Sequence, residues 1–298
     1  MAESTDLAAI MEPSGRVRTL RGALDTVTDR LRPVLDLFRP YVDGVENLPG
    51  DGRFLLVGNH TQSGSEIFLI SDRVRRAIGT RVRPLADRGF ERMRGLPADL
   101  MAAFGGVVGA PETARELMRN DQTILVFPGG GREIPKFKGE EYTLRWQGRE
   151  GFARLAVENG YPIVPAGLVG GDDVYRSVTT RDSAYGKFSE ALGRRLNGRP
   201  GMAMPLLRGI GPTLIPRPQR MYLRFGPPID TTRPLGIDTQ GWVDAVKDRT
   251  QRAVQQILAD LLLLRSADPY RGLNPLGWRG AARPPRRQLG PIVAASHG

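Results

Sequence analysis

Apolar positions fall into two rhythms along this chain. Between Arg16 and Tyr41, Val17, Leu20, Leu24, Val27, Leu31, Val34, Leu35 and Phe38 recur at helical spacing. Arginines interleave with them, so residues 15–44 form an amphipathic helical segment that is either packed on the core or laid on anionic lipid. Pro33 removes a backbone donor inside the run and predicts a kink or a split. From Arg53 onward, short apolar runs alternate with helical stretches. Phe54–Val57, Arg81–Leu85, Gly106–Val108, Thr123–Phe127, Tyr161–Val169 and Met221–Phe225 read as strands. Ile67–Ile78, Pro97–Phe104, Glu112–Arg119, Arg149–Asn159, Ser183–Leu196 and Trp242–Leu264 read as helices. The alternation predicts one α/β domain over residues 45–268, with a largely parallel mixed sheet flanked by helices. Residues 1–14 are expected to be disordered. Residues 269–298, rich in Pro and Arg, are expected to lack fixed structure near their end.

Composition narrows the chemistry. With no cysteine there are no disulfides, thiolate nucleophiles or cysteine metal sites. The two histidines are His60 and His297, and the second lies in the basic tail, so a histidine-rich metal centre is excluded. The formal charge of +11 suits an anionic partner. Nucleic acid is disfavoured, because the charge is not interleaved with aromatics in a recognised module. No run approaches the roughly 20 apolar residues that cross a bilayer, and the first residues lack a signal-peptide core. The expectation is a cytoplasmic chain, peripheral on the inner face of the membrane.

Two segments carry candidate chemistry. His60 follows a strand in Asn59-His60 and is the histidine suited to proton transfer. Phe127-Pro128-Gly129-Gly130-Gly131-Arg132-Glu133 follows another strand. Its glycines allow a tight turn and a close approach to ligand, and Arg132 offers a planar fork for phosphate or carboxylate. Without a following Gly-Lys-Ser/Thr it is not a P-loop. The C-terminal edge of an α/β sheet is where such ligands bind.

Asn59-His60, the 127–133 block and Tyr161-Pro162-Ile163-Val164-Pro165, in that order, resemble the glycerolipid (lysophospholipid) acyltransferase superfamily. Lys138-Gly-Glu-Glu-Tyr142, Trp146 and Gly151-Phe-Ala-Arg-Leu-Ala156 resemble its diacylglycerol-acyltransferase-like branch, and the likeness runs from about Val45 to Asp230. Ala86-Asp87-Arg88-Gly89-Phe90 matches the family's middle block loosely and offers Arg88. The chain departs from the pattern where most members place an aspartate five residues after the histidine. Ser65 stands there, with Glu66 next. Glu66 either orients His60 or closes the capping box Ser63-Gly-Ser-Glu66. The third block also carries glycine where lysophosphatidate enzymes carry glutamate, which leans toward a neutral acceptor.

The resemblance implies acyl transfer from acyl-CoA or an acyl carrier protein to a lipid hydroxyl. His60 and Glu66 would be catalytic, and Asn59, Arg88 and residues 127–133 substrate-binding. The family needs no metal or cofactor, with acyl-CoA as co-substrate, and the basic charge would serve an anionic membrane surface. A thioesterase or transacylase, or a non-catalytic lipid-binding protein of the same fold, are the alternatives. Three further features stay open. Asp172-Asp173 either binds a cation or caps a helix. Glu140-Glu141 with Arg145 either lines the cleft or forms a solvated loop. The apolar run Pro205–Pro216 dips into a bilayer, forms the mouth of an acyl groove, or is core.

Overall fold

The computed structural model describes residues 10, 12–87, 89–90, 93–197, 201 and 203–285. A helix, α1 (Gly15–Leu37), leads into β1 (Tyr41–Asp43) and β2 (Leu55–Gly58). Then follow α2 (Ser65–Ile78), β3 (Arg83–Ala86), α3 (Leu96–Phe104), β4 (Val107–Val108), α4 (Pro111–Arg119) and β5 (Ile124–Val126). The second half runs α5 (Gly151–Glu158), β6 (Ile163–Val169), β7 (Arg176–Ser177), α6 (Ala184–Asn197), β8 (Leu207–Arg208), β9 (Tyr222–Phe225) and α7 (Thr239–Ser266).

Seven strands form one sheet in the order β1-β9-β6-β2-β5-β3-β4, and β7 and β8 form a separate antiparallel pair. All neighbours in the main sheet are parallel except β6 and β9. The domain is α/β with a mostly parallel mixed sheet flanked by helices. Strands β2 and β6 are buried along their whole length, as a sheet covered on both faces requires. Their C-terminal ends lie beside that of β5, in the register Val57↔Val126 and Gly58↔Ala166. The loops leaving these three strands build the site.

Two expectations change. Helix α1 runs through Pro33 without a split, and Pro33 itself is exposed. Tyr41–Asp43, placed in the helical segment by its spacing, is an edge strand paired with Tyr222–Arg224, because the helix stops at Arg39, where φ is 45°. Three residues are too few to show a period of two. The first part of the tail packs on the domain, and its end, where no fixed structure is expected, lies outside the described residues. Tyr270 is buried and its hydroxyl donates to Leu37 O (3.0 Å), while Arg220 Nη2 donates to Ala282 O (2.6 Å). The Arg39 guanidinium lies 5.9 Å and 5.8 Å from the Tyr270 and Trp278 rings. Proline and arginine here pack rather than solvate. The expected disorder of residues 1–14 falls largely outside the described residues, as do 286–298.

Candidate active site

Strand β2 ends at Gly58, where a Cβ would lie 3.0 Å from Ala166 O, so glycine keeps β6 close. Asn59 is buried, and its side chain exchanges both hydrogen bonds with the Leu168 backbone (Nδ2 to O 3.0 Å; Leu168 N to Oδ1 2.9 Å). Its amide is consumed in extending the β2–β6 seam. Asn59 is therefore a strut rather than the substrate contact expected.

His60 comes next, its side chain 12% exposed. Its Nδ1 is paired with Glu66 Oε1, and Glu66 is fully buried. The second carboxylate oxygen accepts from Thr61 Oγ1. The capping alternative is not what forms: Gly64, at φ 68°, is the N-cap of α2 and no side chain caps the helix. The cause lies in the turn. Glycine takes the left-handed conformation at the helix entry, so the first turn of α2 starts with Ser65 and aims Glu66 inward. Ser65 Oγ instead meets Ser63 Oγ (2.8 Å) and Met221 Sδ (3.8 Å). A carboxylate on Nδ1 places the ring proton there and leaves the Nε2 lone pair free, the tautomer a general base needs. Phe127 stacks on the imidazole, with centroids 4.4 Å apart and planes 18° from parallel.

The backbone of His60 is clamped as well. Its N–H donates to Glu133 Oε1 (3.1 Å), and its carbonyl accepts from Lys136 Nζ (2.9 Å). Lys136 is buried and paired with Asp172 at 3.0 Å. Asp172 in turn accepts from the Gln62 and Tyr142 backbone amides, both at 2.8 Å. Asp172 thus pairs with a lysine and anchors three segments around His60, and no side chain caps the 3₁₀ turn Gly171–Asp173. Asp173 accepts from the Tyr142 hydroxyl and pairs with Arg265 (3.2 Å).

Glu133 is fully buried, and burial pushes its carboxyl up to about 7, against the pull of Lys136 and the His60 N–H. Its Oε2 has no partner among the described residues. A Cβ on Gly129 would lie 2.0 Å from that oxygen, so the glycine makes room for the carboxyl. Expected to touch substrate, Glu133 instead holds the His60 backbone from within the protein.

The rest of the glycine block turns the chain. Pro128 O and Gly129 O accept from Arg149 Nη1 (3.0 and 3.1 Å). Gly130, at φ 54°, opens a 3₁₀ turn, Gly130–Arg132, that includes Gly131. The Gly130 N–H is used within the turn, donating to Phe127 O (2.8 Å). Arg132 points to the surface and donates to Gln147 Oε1 (3.0 Å). Arg88 lies outside the described residues. Glu140 binds Arg181 through both oxygens (2.6 and 2.8 Å), so it is a structural ion pair rather than a solvated charge. The run 205–216 is not core: Leu206, Ile210, Leu214 and Ile215 are all half exposed or more.

Sequence reasoning missed Thr61, Lys136 and Arg149. A threonine beside a catalytic pair and a lysine in Pro-Lys-Phe-Lys carry no period or motif that marks them as buried partners. Only the meeting of three strand ends shows it.

A mostly parallel α/β sheet here presents a carboxylate-bound, aromatic-stacked histidine beside a glycine turn, an arrangement chemically able to move a proton at the strand ends. Residues 39–169 match the Acyltransferase family, a span that includes His60, Glu66 and the glycine block. The match marks this segment as an acyltransferase-type domain. It is 28% identical over 262 residues to phytyl ester synthase 1, chloroplastic, of Arabidopsis thaliana, covering 78% of this chain and 35% of that protein. It is 30% identical over 253 residues to phytyl ester synthase 2 of the same plant, covering 78% and 36%. Over 124 residues it is 28% identical to the human DGAT1/2-independent enzyme synthesizing storage lipids, covering 42% of this chain and 38% of that protein. The chain thus spans about a third of the length of the curated plant relatives it matches.

Proposed function

We propose that this chain transfers a fatty acyl group from a thioester, acyl-CoA or acyl carrier protein, to the hydroxyl of a lipid alcohol at a membrane surface. His60 Nε2 takes the acceptor's hydroxyl proton as the oxygen attacks the thioester carbonyl. Glu66 holds the tautomer and stabilises the imidazolium. The oxyanion is met by a backbone amide of the glycine turn other than that of Gly130, whose N–H is already used. The C–S bond then breaks, the ester forms, and the departing thiolate takes the proton back from the imidazolium. Arg132, at the surface end of the turn, binds donor phosphates or a head group. The reaction as written uses no metal or further cofactor. The proposed place of action is the inner, cytoplasmic face of the membrane, as a peripheral protein; among the described residues no helix is long and apolar enough to cross a membrane.

The observation that carries this reading is the buried Glu66 carboxylate on His60 Nδ1. It weighs against the non-catalytic alternative, whose reason was the missing aspartate. A neutral acceptor is favoured, because the third block lacks the glutamate of lysophosphatidate enzymes and relatives are named for phytyl esters and storage lipids. The test is thiol release from acyl-CoA against a panel of lipid alcohols and lysophospholipids, with products identified by mass spectrometry. Ester formation that vanishes in a folded His60→Ala variant is expected. Wild-type turnover in that variant would falsify the role of His60, and acceptor-independent thiol release would make the protein a thioesterase.

A further inference from the structure

Helix α6 is inverted. Gly186, Ser189 and Gly193 face the protein and are buried, whereas Tyr185, Phe188 and Leu192 are exposed, Phe188 by 64%. A surface helix ordinarily buries its apolar stripe and shows its small polar one. The inversion is fixed in place: Ser189 Oγ donates to Met204 O and accepts from Met204 N, both at 2.9 Å.

The chain after Met204 extends the same surface. It pairs with β7 through Val178 N to Leu206 O (2.9 Å) and folds into a tip closed by Ile210 N to Ile215 O (2.9 Å). Leu214, at the end of that tip, is 69% exposed.

Basic side chains frame these apolar ones. Lys187, Arg194 and Arg195 are exposed on α6, and Arg176 stands directly opposite Arg208 across the β7–β8 ladder. Like charges in that position repel in water, and an anion between them relieves the cost. The acids of residues 176–217 are Asp182 and Glu190, and Glu190 is engaged by the Gly201 N–H (2.8 Å). Helix α1 also shows apolar residues, but its Asp25, Asp29 and Asp36 tie it to Arg73, Arg75, Arg76 and Arg81 of the domain. The basic face reaches the site directly: Ser177 Oγ donates to Lys136 O and accepts from Gln62 Nε2 (3.3 Å), two residues from His60.

We propose that α6 and the 204–215 tip form the face by which this chain docks on an anionic lipid bilayer. Phe188, Leu192 and Leu214 enter the headgroup boundary, and Arg176, Arg208 and the α6 cations lie on lipid phosphates. The proposal deepens the lipid-acyltransferase reading and rests on it for the purpose of docking, which brings a membrane-dissolved acceptor to His60.

Vesicle co-sedimentation of the full chain tests docking without turnover. Binding to phosphatidylglycerol–phosphatidylcholine vesicles is expected, with little to phosphatidylcholine alone and loss in high salt. Phe188→Glu and Leu214→Glu each lower the partition by about tenfold or more. Arg176→Glu lowers it by about fivefold or more. Leu235→Glu, a fully exposed site in the loop after Ile229, which pairs with Ile163 at the start of β6, leaves it unchanged. His60→Ala docks like wild type, so a failed catalytic reading and a failed docking reading are told apart. The proposal is overturned if wild type ignores anionic vesicles or if the glutamate variants bind as wild type does. It is also overturned if light scattering shows a dimer that Phe188→Glu dissolves, which would give the face to a second copy.

Discussion

The site at the ends of β2, β5 and β6 and the face carried by β7 and α6 are opposites. In the loops leaving β2, β5 and β6 the chain buries charge: Glu66, Glu133, Lys136 and Asp172 are all but inaccessible, and most of their oxygens and nitrogens are spent on fixing His60. After β6 and β7, the chain exposes oil on a helix whose buried side is glycine and serine. Each inverts the usual rule, and each inversion costs stability unless something offsets it. The first is offset inside the molecule by paired hydrogen bonds. The second finds no offset among the described residues, so its partner is sought outside. On the proposed reading, the buried charge holds the chemistry and the exposed oil meets the membrane that carries the acceptor.

The comparison breaks hardest at the histidine. Glu66→Gln removes the charge that stabilises the imidazolium while keeping the shape, and is expected to lower kcat by roughly 10²–10⁴-fold with little change in KM. Steady-state thiol release measures it. Lys136→Met leaves Asp172 buried without its cation, and a loss of about 3–5 kcal/mol in urea unfolding is expected.

Glu133 gives a pH signature. Its carboxyl is raised in the fold from an ordinary 4.5 to about 7, so between those values the folded protein holds a proton that the unfolded chain has released. Stability therefore falls as pH rises through that window and levels off above it, by up to about 3 kcal/mol. In Glu133→Gln, which keeps the acceptor for the His60 N–H, that slope disappears from a series of melting curves. At the exposed face the effect should be smallest: Phe188→Ser changes unfolding stability by no more than about 0.5 kcal/mol. A larger loss there would mean that the face belongs to the core and that the contrast between the two regions is false.

Much of the architecture was legible because the strands are buried on both faces. Tyr161–Val169 and Thr123–Phe127 read as apolar runs and appear as β6 and β5 with ends shifted by one or two residues. β1 was not legible, being three residues long beside a helix with the same apolar density. Nor was the docked tail, since Pro and Arg look alike in sequence whether they pack or solvate. In the site, His60 and the glycine block were visible from composition and spacing, but their division of labour was not. Asn59 and Glu133 looked like ligand contacts and are supports, because a polar side chain gives no sign in sequence of whether it faces a cleft or a neighbouring strand.

The sequence by itself determined the alternation of strands and helices, the single histidine available for proton transfer and the family it resembles. These depend on residue type and local period, which the chain carries in one dimension. The tertiary structure alone decided that Glu66 turns to His60 rather than to its own helix cap, that Lys136 and Asp172 meet beneath it, and that α6 faces the wrong way round. Those outcomes depend on which strand ends adjoin and on how much room a glycine leaves, and neither is a property of any one segment.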